Sequence, residues 1–313
     1  MFCESRTLKL IACSFLTWIC LGAVFVVGVD AHSINSLTTS SGVVFSVWDE
    51  QPSLPAPTVI ILSDTATLSL TNPDFIQSGA ILADNGFVCV SLNVPGYNAF
   101  GAGDTGGLDK WREYSDAETD FVANFNEQVS DVLDYLIESN YTNSTQVAAI
   151  GTSKGGFLAL QYMATDPRIQ VGAVFAPVTD LARLTEFTGA EQDPFVQNLA
   201  LSNLANDLAG RPIWISIGGD DPRVGTDAAE GFAAAVETAA QAGNLANLLE
   251  LHLDPEVTTH ITPPGSAEAA AEWILFNINY AAAPEPSSAA LLSTSLLIFV
   301  PLMSRRRACR LRK

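Results

Sequence analysis

Short, unbroken apolar runs alternate with helix-like segments along most of this chain. Residues 58–62, 87–92, 171–176 and 212–217 are runs typical of strands buried in a parallel sheet, as is the run that ends at Ile150. Residues 248–253 predict a last strand and residues 43–48 an early one. Between them, residues 75–85 (ended by Gly86), 118–139, 157–163, 227–242 and 267–277 predict helices. A Gly-rich loop is expected over residues 95–114, and an insertion over residues 179–210. Regular alternation of strand and helix implies right-handed crossovers, hence a mainly parallel α/β sheet covered by helices on both faces. Such sheets place ligands beyond the carboxyl ends of their strands. Four loops at that edge carry reactive side chains: residues 63–65, 152–154, 218–221 and 256–263.

The two ends depart from this pattern. Residues 10–28 are mostly apolar and follow Arg6 and Lys9, and Val29-Asp30-Ala31 offers small residues, so residues 1–31 read as an export signal. At the other end, Pro284-Glu285-Pro286 leads into an apolar stretch, residues 289–303, and then into Arg305, Arg306, Arg307, Arg310, Arg312 and Lys313. A bilayer crossing needs about 20 apolar residues, so this stretch suits transient anchoring better than a permanent transmembrane helix. Residues 284–313 resemble the PEP-CTERM sorting signal of Gram-negative bacteria. The resemblance implies a membrane-bound sorting and processing enzyme as partner, with the export machinery. It also implies a destination in the cell envelope or extracellular matrix.

Residues 32–283 then form one α/β domain of about 250 residues, large enough for a substantial core. The formal net charge is −19, and residues 33–283 hold only Lys110, Arg112, Lys154, Arg168, Arg183, Arg211 and Arg223 as basic side chains. Such a field repels polyanions, so nucleic acid is not an expected ligand. Cys89 is the one cysteine between the two ends, and an intrachain disulfide is not expected. Neither a metal-ligand spacing nor a dinucleotide fingerprint is present, and no cofactor is expected.

The chemistry centres on Gly151-Thr152-Ser153-Lys154-Gly155, where a strand-like run enters and a helix-like run leaves. That context fits a sharp turn that lifts a serine hydroxyl above the sheet. A serine needs an imidazole to take its proton, and the imidazole needs a carboxylate to fix its tautomer. Of the three histidines, His32 lies at the signal junction, and His252 shares the polar face of its strand with Glu250 and Asp254. His260, in the loop after the last strand, is the candidate base. Asp220 and Asp221 are adjacent candidates for the carboxylate, and their side chains diverge. Lys154, opening the following helix, offers a backbone N–H to an oxyanion, while its side chain reads as solvated.

These residues resemble the α/β-hydrolase superfamily, in particular its prolyl-oligopeptidase-like and dienelactone-hydrolase-like esterase branch. The resemblance spans residues 42–280 and includes Gly218-x-x-Asp221-x-x-Val224, Gly155-Gly156 and residues 176–180. It implies an α/β-hydrolase fold and a Ser153, Asp221, His260 order of catalytic residues, leaving Asp220 to cap the turn. The family has His-Gly after the 58–62 strand and uses the next residue as second oxyanion donor, which maps to Thr65. Here Ser63-Asp64 replaces His-Gly. Tyr97, Phe100, Trp111 and Tyr114 either form an acyl pocket or pin their loop. No β-propeller precedes the hydrolase region, which favours a carboxylic ester hydrolase acting on small neutral esters over a peptidase. A non-catalytic matrix binding or structural protein on the same fold is the alternative of a different class.

Overall fold

The computed structural model describes residues 33–48, 55–97 and 107–282. The expected export signal, the sorting tail with its apolar segment, and Phe100 lie outside these residues. Within them, eight strands form one sheet: β1 (Ile34–Thr38), β2 (Val44–Trp48), β3 (Ala56–Leu62), β4 (Val88–Leu92), β5 (Thr142–Thr152), β6 (Ile169–Phe175), β7 (Ile213–Gly218) and β8 (Leu249–Asp254). Their spatial order is β1-β2-β4-β3-β5-β6-β7-β8. The first two strands join antiparallel, and β3 to β8 run parallel, with β4 beside β3.

Among the described residues, nine α-helices lie between strands and a tenth follows β8: α1 (Ala66–Thr71), α2 (Pro73–Ile76), α3 (Ser78–Asp84), α4 (Gly107–Asp116), α5 (Phe121–Glu138), α6 (Lys154–Thr165), α7 (Pro194–Asn198), α8 (Ala205–Leu208), α9 (Thr226–Ala242) and α10 (Ser266–Ala282). The pleat divides the core in two. Ile60, Leu62, Val147 and Ala149 point to a layer with Phe125 and Val129 of α5, Phe157 of α6 and Phe232 of α9. Val59, Ile61, Ala148 and Ile150 point the other way, to Leu82 of α3 and Ile274 of α10. The central strands are therefore apolar on both faces, which is why their sequences read as unbroken runs.

Two expectations need correction, and one strand gave no signal in the sequence. The helix read over residues 75–85 is two helices, broken at Gln77, whose backbone sits at φ +46° and ψ −122°. The Gly-rich loop contains α4, which forms because Trp111 becomes fully buried and its Nε1 donates to Pro95 O at 2.8 Å. β1 went unread because Ile34-Asn35-Ser36-Leu37-Thr38 is a polar edge strand, held by pairing with β2 more than by burial. The long helix stands as read apart from its first turn. Asp120 caps α5 by accepting from Ala123 N at 2.8 Å, an interaction typically worth about 1 kcal/mol. Among the described residues no helix is long and apolar enough to cross a membrane.

Candidate active site

The site lies beyond the carboxyl ends of β3, β5, β7 and β8. Ser153 sits between β5 and α6 at φ +54° and ψ −118°, a left-handed conformation that a serine adopts only under constraint. Hydrogen bonds lock it there: Ser153 N donates to Phe175 O at 2.9 Å, and Val178 N donates to Ser153 O at 3.1 Å. The turn is tight enough to exclude side chains on either flank. A Cβ at Gly155 would stand 1.8 Å from Leu62 O, and one at Gly151 would stand 2.3 Å from Gly155 O. This is why glycines sit two residues either side of the serine.

His260 enters from the loop between β8 and α10. Its Nε2 lies 2.9 Å from Ser153 Oγ and its Nδ1 lies 2.8 Å from Asp221 Oδ2. An ionised carboxylate only accepts, so Nδ1 carries the proton and Nε2 is free to accept from the serine hydroxyl. Asp221, in the turn after β7, has a side chain with no exposed surface. Burial alone would raise its carboxyl, but the hydrogen bond and charge of His260 outweigh it, aided by N–H donors from Arg223 and Val224. The net pKa is lowered.

The structure thus brings Ser153, His260 and Asp221 into one hydrogen-bonded series. It leaves Asp220 exposed, its N–H directed 3.4 Å to Val257 O. The turn cap expected of Asp220 belongs to Asp221 itself, whose Oδ1 accepts from Arg223 N at 2.9 Å and Val224 N at 3.3 Å. One carboxylate therefore serves both its own loop and the imidazole. His252 faces away with Glu250, 3.1 Å from Oε2, and packs on Trp214.

The oxyanion side holds a surprise. Lys154 N opens α6, where the first N–H groups have no intrahelical acceptor. Thr65 caps α1, and its own N–H donates to Asp64 Oδ1 at 2.8 Å. The Asp64 carboxylate also faces the Lys154 ammonium, with Oδ2 at 3.4 Å. That ammonium sits 5.1 Å from the Tyr97 ring centroid. Burial, followed by the hydrogen bond and charge of Asp64, pushes the Tyr97 phenol above its ordinary range. The Lys154 side chain is only 17% exposed, so it is not the solvated group its sequence position implied.

A cavity of about 660 Å³ opens beside Ser153 and His260, walled by Phe75, Gln77, Ile261 and Pro263. Thr152 also lines it, and its Oγ1 is buried without a hydrogen-bond partner among the described residues. Trp111 pins its loop, whereas Tyr97 and Tyr114 line a separate cavity of about 520 Å³. Sequence reasoning missed Gln77 and Thr226, and it placed Thr152 in the elbow loop without giving it a role. The Thr226 hydroxyl accepts from Asp221 N at 2.9 Å and donates to Gly218 O at 2.7 Å, fixing the carboxylate turn. A threonine five residues past a Gly-x-x-Asp stretch carries no signal in one sequence. Among the described residues no group of three or more metal-ligating side chains is placed to hold an ion.

Known proteins share this fold. In solved structures, the chain is similar to a puromycin-hydrolyzing peptidase of Mycobacterium tuberculosis (TM-score 0.59, 14% identity, 82% of this chain and 40% of that one). It is similar to an acylaminoacyl peptidase of Pyrococcus horikoshii (TM-score 0.58, 10% identity, 80% and 41%). It is also similar to an esterase of Pyrococcus furiosus (TM-score 0.55, 15% identity, 79% and 93%). The chain therefore spans about two fifths of the two peptidases and nearly all of the esterase. At these identities the likeness establishes the fold, which is that of an α/β-hydrolase. No curated protein sequence matches the chain. The profile of the Prolyl oligopeptidase family matches residues 73–261, which include Ser153, Asp221 and His260. That is more than half of the 313 residues, and the chain belongs to the prolyl oligopeptidase family of serine hydrolases.

Proposed function

We propose that the protein hydrolyses carboxylic esters through an acyl-enzyme formed on Ser153. The observation that carries the reading is the unbroken series Ser153 Oγ, His260, Asp221, with contacts of 2.9 and 2.8 Å. His260 Nε2 takes the hydroxyl proton as Oγ attacks the ester carbonyl, and Asp221 stabilises the imidazolium. The proton then passes to the leaving alcohol, which departs and leaves the acyl group on Ser153. Water, deprotonated by the same nitrogen, attacks the acyl carbonyl and releases the acid. Lys154 N–H and Thr65 N–H are the proposed oxyanion donors, and Thr65 must exchange Asp64 Oδ1 for the oxyanion.

Two points favour esters over peptides. The cavity beside Ser153 has room for a small acyl or alcohol group, and this fold accounts for 93% of the length of the Pyrococcus furiosus esterase. The family name supports the second reading, a peptidase. We further propose export and retention at the envelope or matrix, on the strength of residues 1–31 and 284–313 alone. Labelling with a fluorophosphonate, then turnover of a short-chain ester panel against aminoacyl and dipeptidyl 4-nitroanilides, tests the assignment. Nitroanilide turnover without ester turnover would replace it by the peptidase reading, and no labelling would leave a non-catalytic relative.

A further inference from the structure

Between Thr258 and Thr262, the loop that carries His260 has few attachments. Before it, Val257 is buried and anchored: its N–H donates to Asp254 O at 3.2 Å, and its carbonyl blocks any side chain at Gly218. Beyond Val257, Thr258, Thr259 and Ile261 are exposed. Among the described residues, the hydrogen bonds that tie this stretch to the rest of the protein are those of His260 itself and one other. That other is donated by Gln77 Nε2 to Thr262 Oγ1, at 2.9 Å across 185 residues of sequence.

Gln77 is an unusual place from which to make that bond. It separates α2 from α3 at φ +46° and ψ −122°, a region that residues with a Cβ avoid. Ser153 stands at nearly the same angles. The same amide nitrogen donates to Asp74 O, so the side chain is fixed within its own turn as well as across the cavity. The next residue repeats the connection: Ser78 Oγ donates to Ala267 O at 2.7 Å, in the first turn of α10. The α2–α3 junction is thus tied both to the His260 loop and to the start of α10. Strained backbone of this kind persists where the surroundings hold it, and it concentrates at functional sites.

We propose that Gln77 is a positioning residue: through Thr262 it sets the height of His260 over Ser153. The proposal rests on the serine-hydrolase reading of the site. Asp221 fixes the imidazole at Nδ1, but one contact leaves the ring free to tilt about it, and the bond at Thr262 removes that freedom. A misplacement of about 1 Å at a proton-transfer step costs up to about a hundredfold in rate.

The test compares Gln77→Met, Thr262→Val, the double variant and Thr262→Ser. Its readouts are the rate of fluorophosphonate labelling, kcat and KM on 4-nitrophenyl acetate, and thermal unfolding. The expected result is a fall in labelling rate and kcat of about tenfold or more in each single variant, with KM little changed. The double variant should be no worse than Gln77→Met alone, because both single changes remove the Gln77–Thr262 bond, and Thr262→Ser should act like wild type. Multiplicative losses, a change confined to KM, wild-type rates in Gln77→Met, or equal damage from Thr262→Ser would overturn the proposal. If Gln77→Met lowers the unfolding temperature, Thr262→Val, at a half-buried loop position, decides the proposal by the same readouts. Wild-type protein that labels, with Ser153→Ala that does not, separates a failure of Gln77 from a failure of the site. Wild-type protein that does not label at all removes both.

Discussion

The ammonium of Lys154 lies 3.4 Å from Oδ2 of Asp64, so the residue after the nucleophile neutralises the carboxylate that holds Thr65 N–H. Asp64 is the second residue of the Ser63-Asp64 turn, where the resemblance leads one to expect His-Gly. An unneutralised carboxylate there would oppose the charge that develops on an ester oxygen in the transition state. Lys154→Met should therefore lower kcat, and Asp64→Gly should raise it by freeing Thr65 N–H. The double variant should recover most of the loss. One oxyanion donor is typically worth about 100- to 1,000-fold in kcat, which bounds the gain. Steady-state kcat on 4-nitrophenyl acetate decides it, and a double variant as poor as Lys154→Met would disprove the coupling.

The two neighbouring aspartates should separate sharply. Asp221→Asn leaves the size of the side chain intact but favours the wrong imidazole tautomer, so kcat should fall by about 1,000- to 10,000-fold. Asp220→Asn, whose side chain is exposed, should stay within a few-fold of wild type. Comparing kcat/KM of the two folded variants checks the assignment, and the reverse ranking refutes it.

Asp221 also links stability to pH. Its folded carboxyl has a lowered pKa, against an unfolded value of about 3.9. The resulting stabilisation is complete above the unfolded value and is lost as pH falls through the folded one. Urea midpoints of wild type should therefore drop as pH is taken down through about 4 and below. Asp221→Asn should show a shallower acid limb over the same window. Parallel curves for the two proteins would contradict the linkage.

Gly155→Ala tests the turn itself. The added Cβ would stand 1.8 Å from a backbone oxygen of β3, and neither α6 nor the strand can retreat without disturbing the sheet. Overpacking a dense interior costs about 1–3 kcal/mol, and a clash with backbone falls at or beyond the upper end. A melting temperature within a degree or so of wild type would show that the turn is looser than described.

The proposed export makes a prediction of mass. Protein isolated from its native host should lack residues 1–31 and should end near Pro284-Glu285-Pro286. Intact mass spectrometry reads this directly, and a full-length cytoplasmic species that keeps Arg305 to Lys313 would refute the sorting assignment.

Much of this fold could be read before any coordinates because burial on both sheet faces leaves an apolar signature that needs no partner to interpret. Residues 58–62 and 212–217 form strands for that reason. The three side chains that meet at the site were legible as candidates because each follows a recognisable strand, so topology alone carries them to one edge. What escaped was decided by contacts made across the molecule. Trp111 turns a Gly-rich stretch into α4 by finding a fully buried slot, and Gln77 breaks a helix to reach a threonine far along the chain. The Asp64–Lys154 pair was equally hidden, since its meaning depends on where two loops 90 residues apart come to face each other.

Ser153 keeps its hydroxyl in place at the expense of its own backbone. A glycine would rest at φ +54° without penalty, whereas a residue with a Cβ gives up about 1–3 kcal/mol there. Folded domains are stable by only about 5–15 kcal/mol, so this one position absorbs a measurable part of the whole. Replacing the nucleophile by glycine should yield a protein harder to unfold than the wild type and unable to react. At residue 153, durability and chemistry are alternatives, and this sequence has taken chemistry.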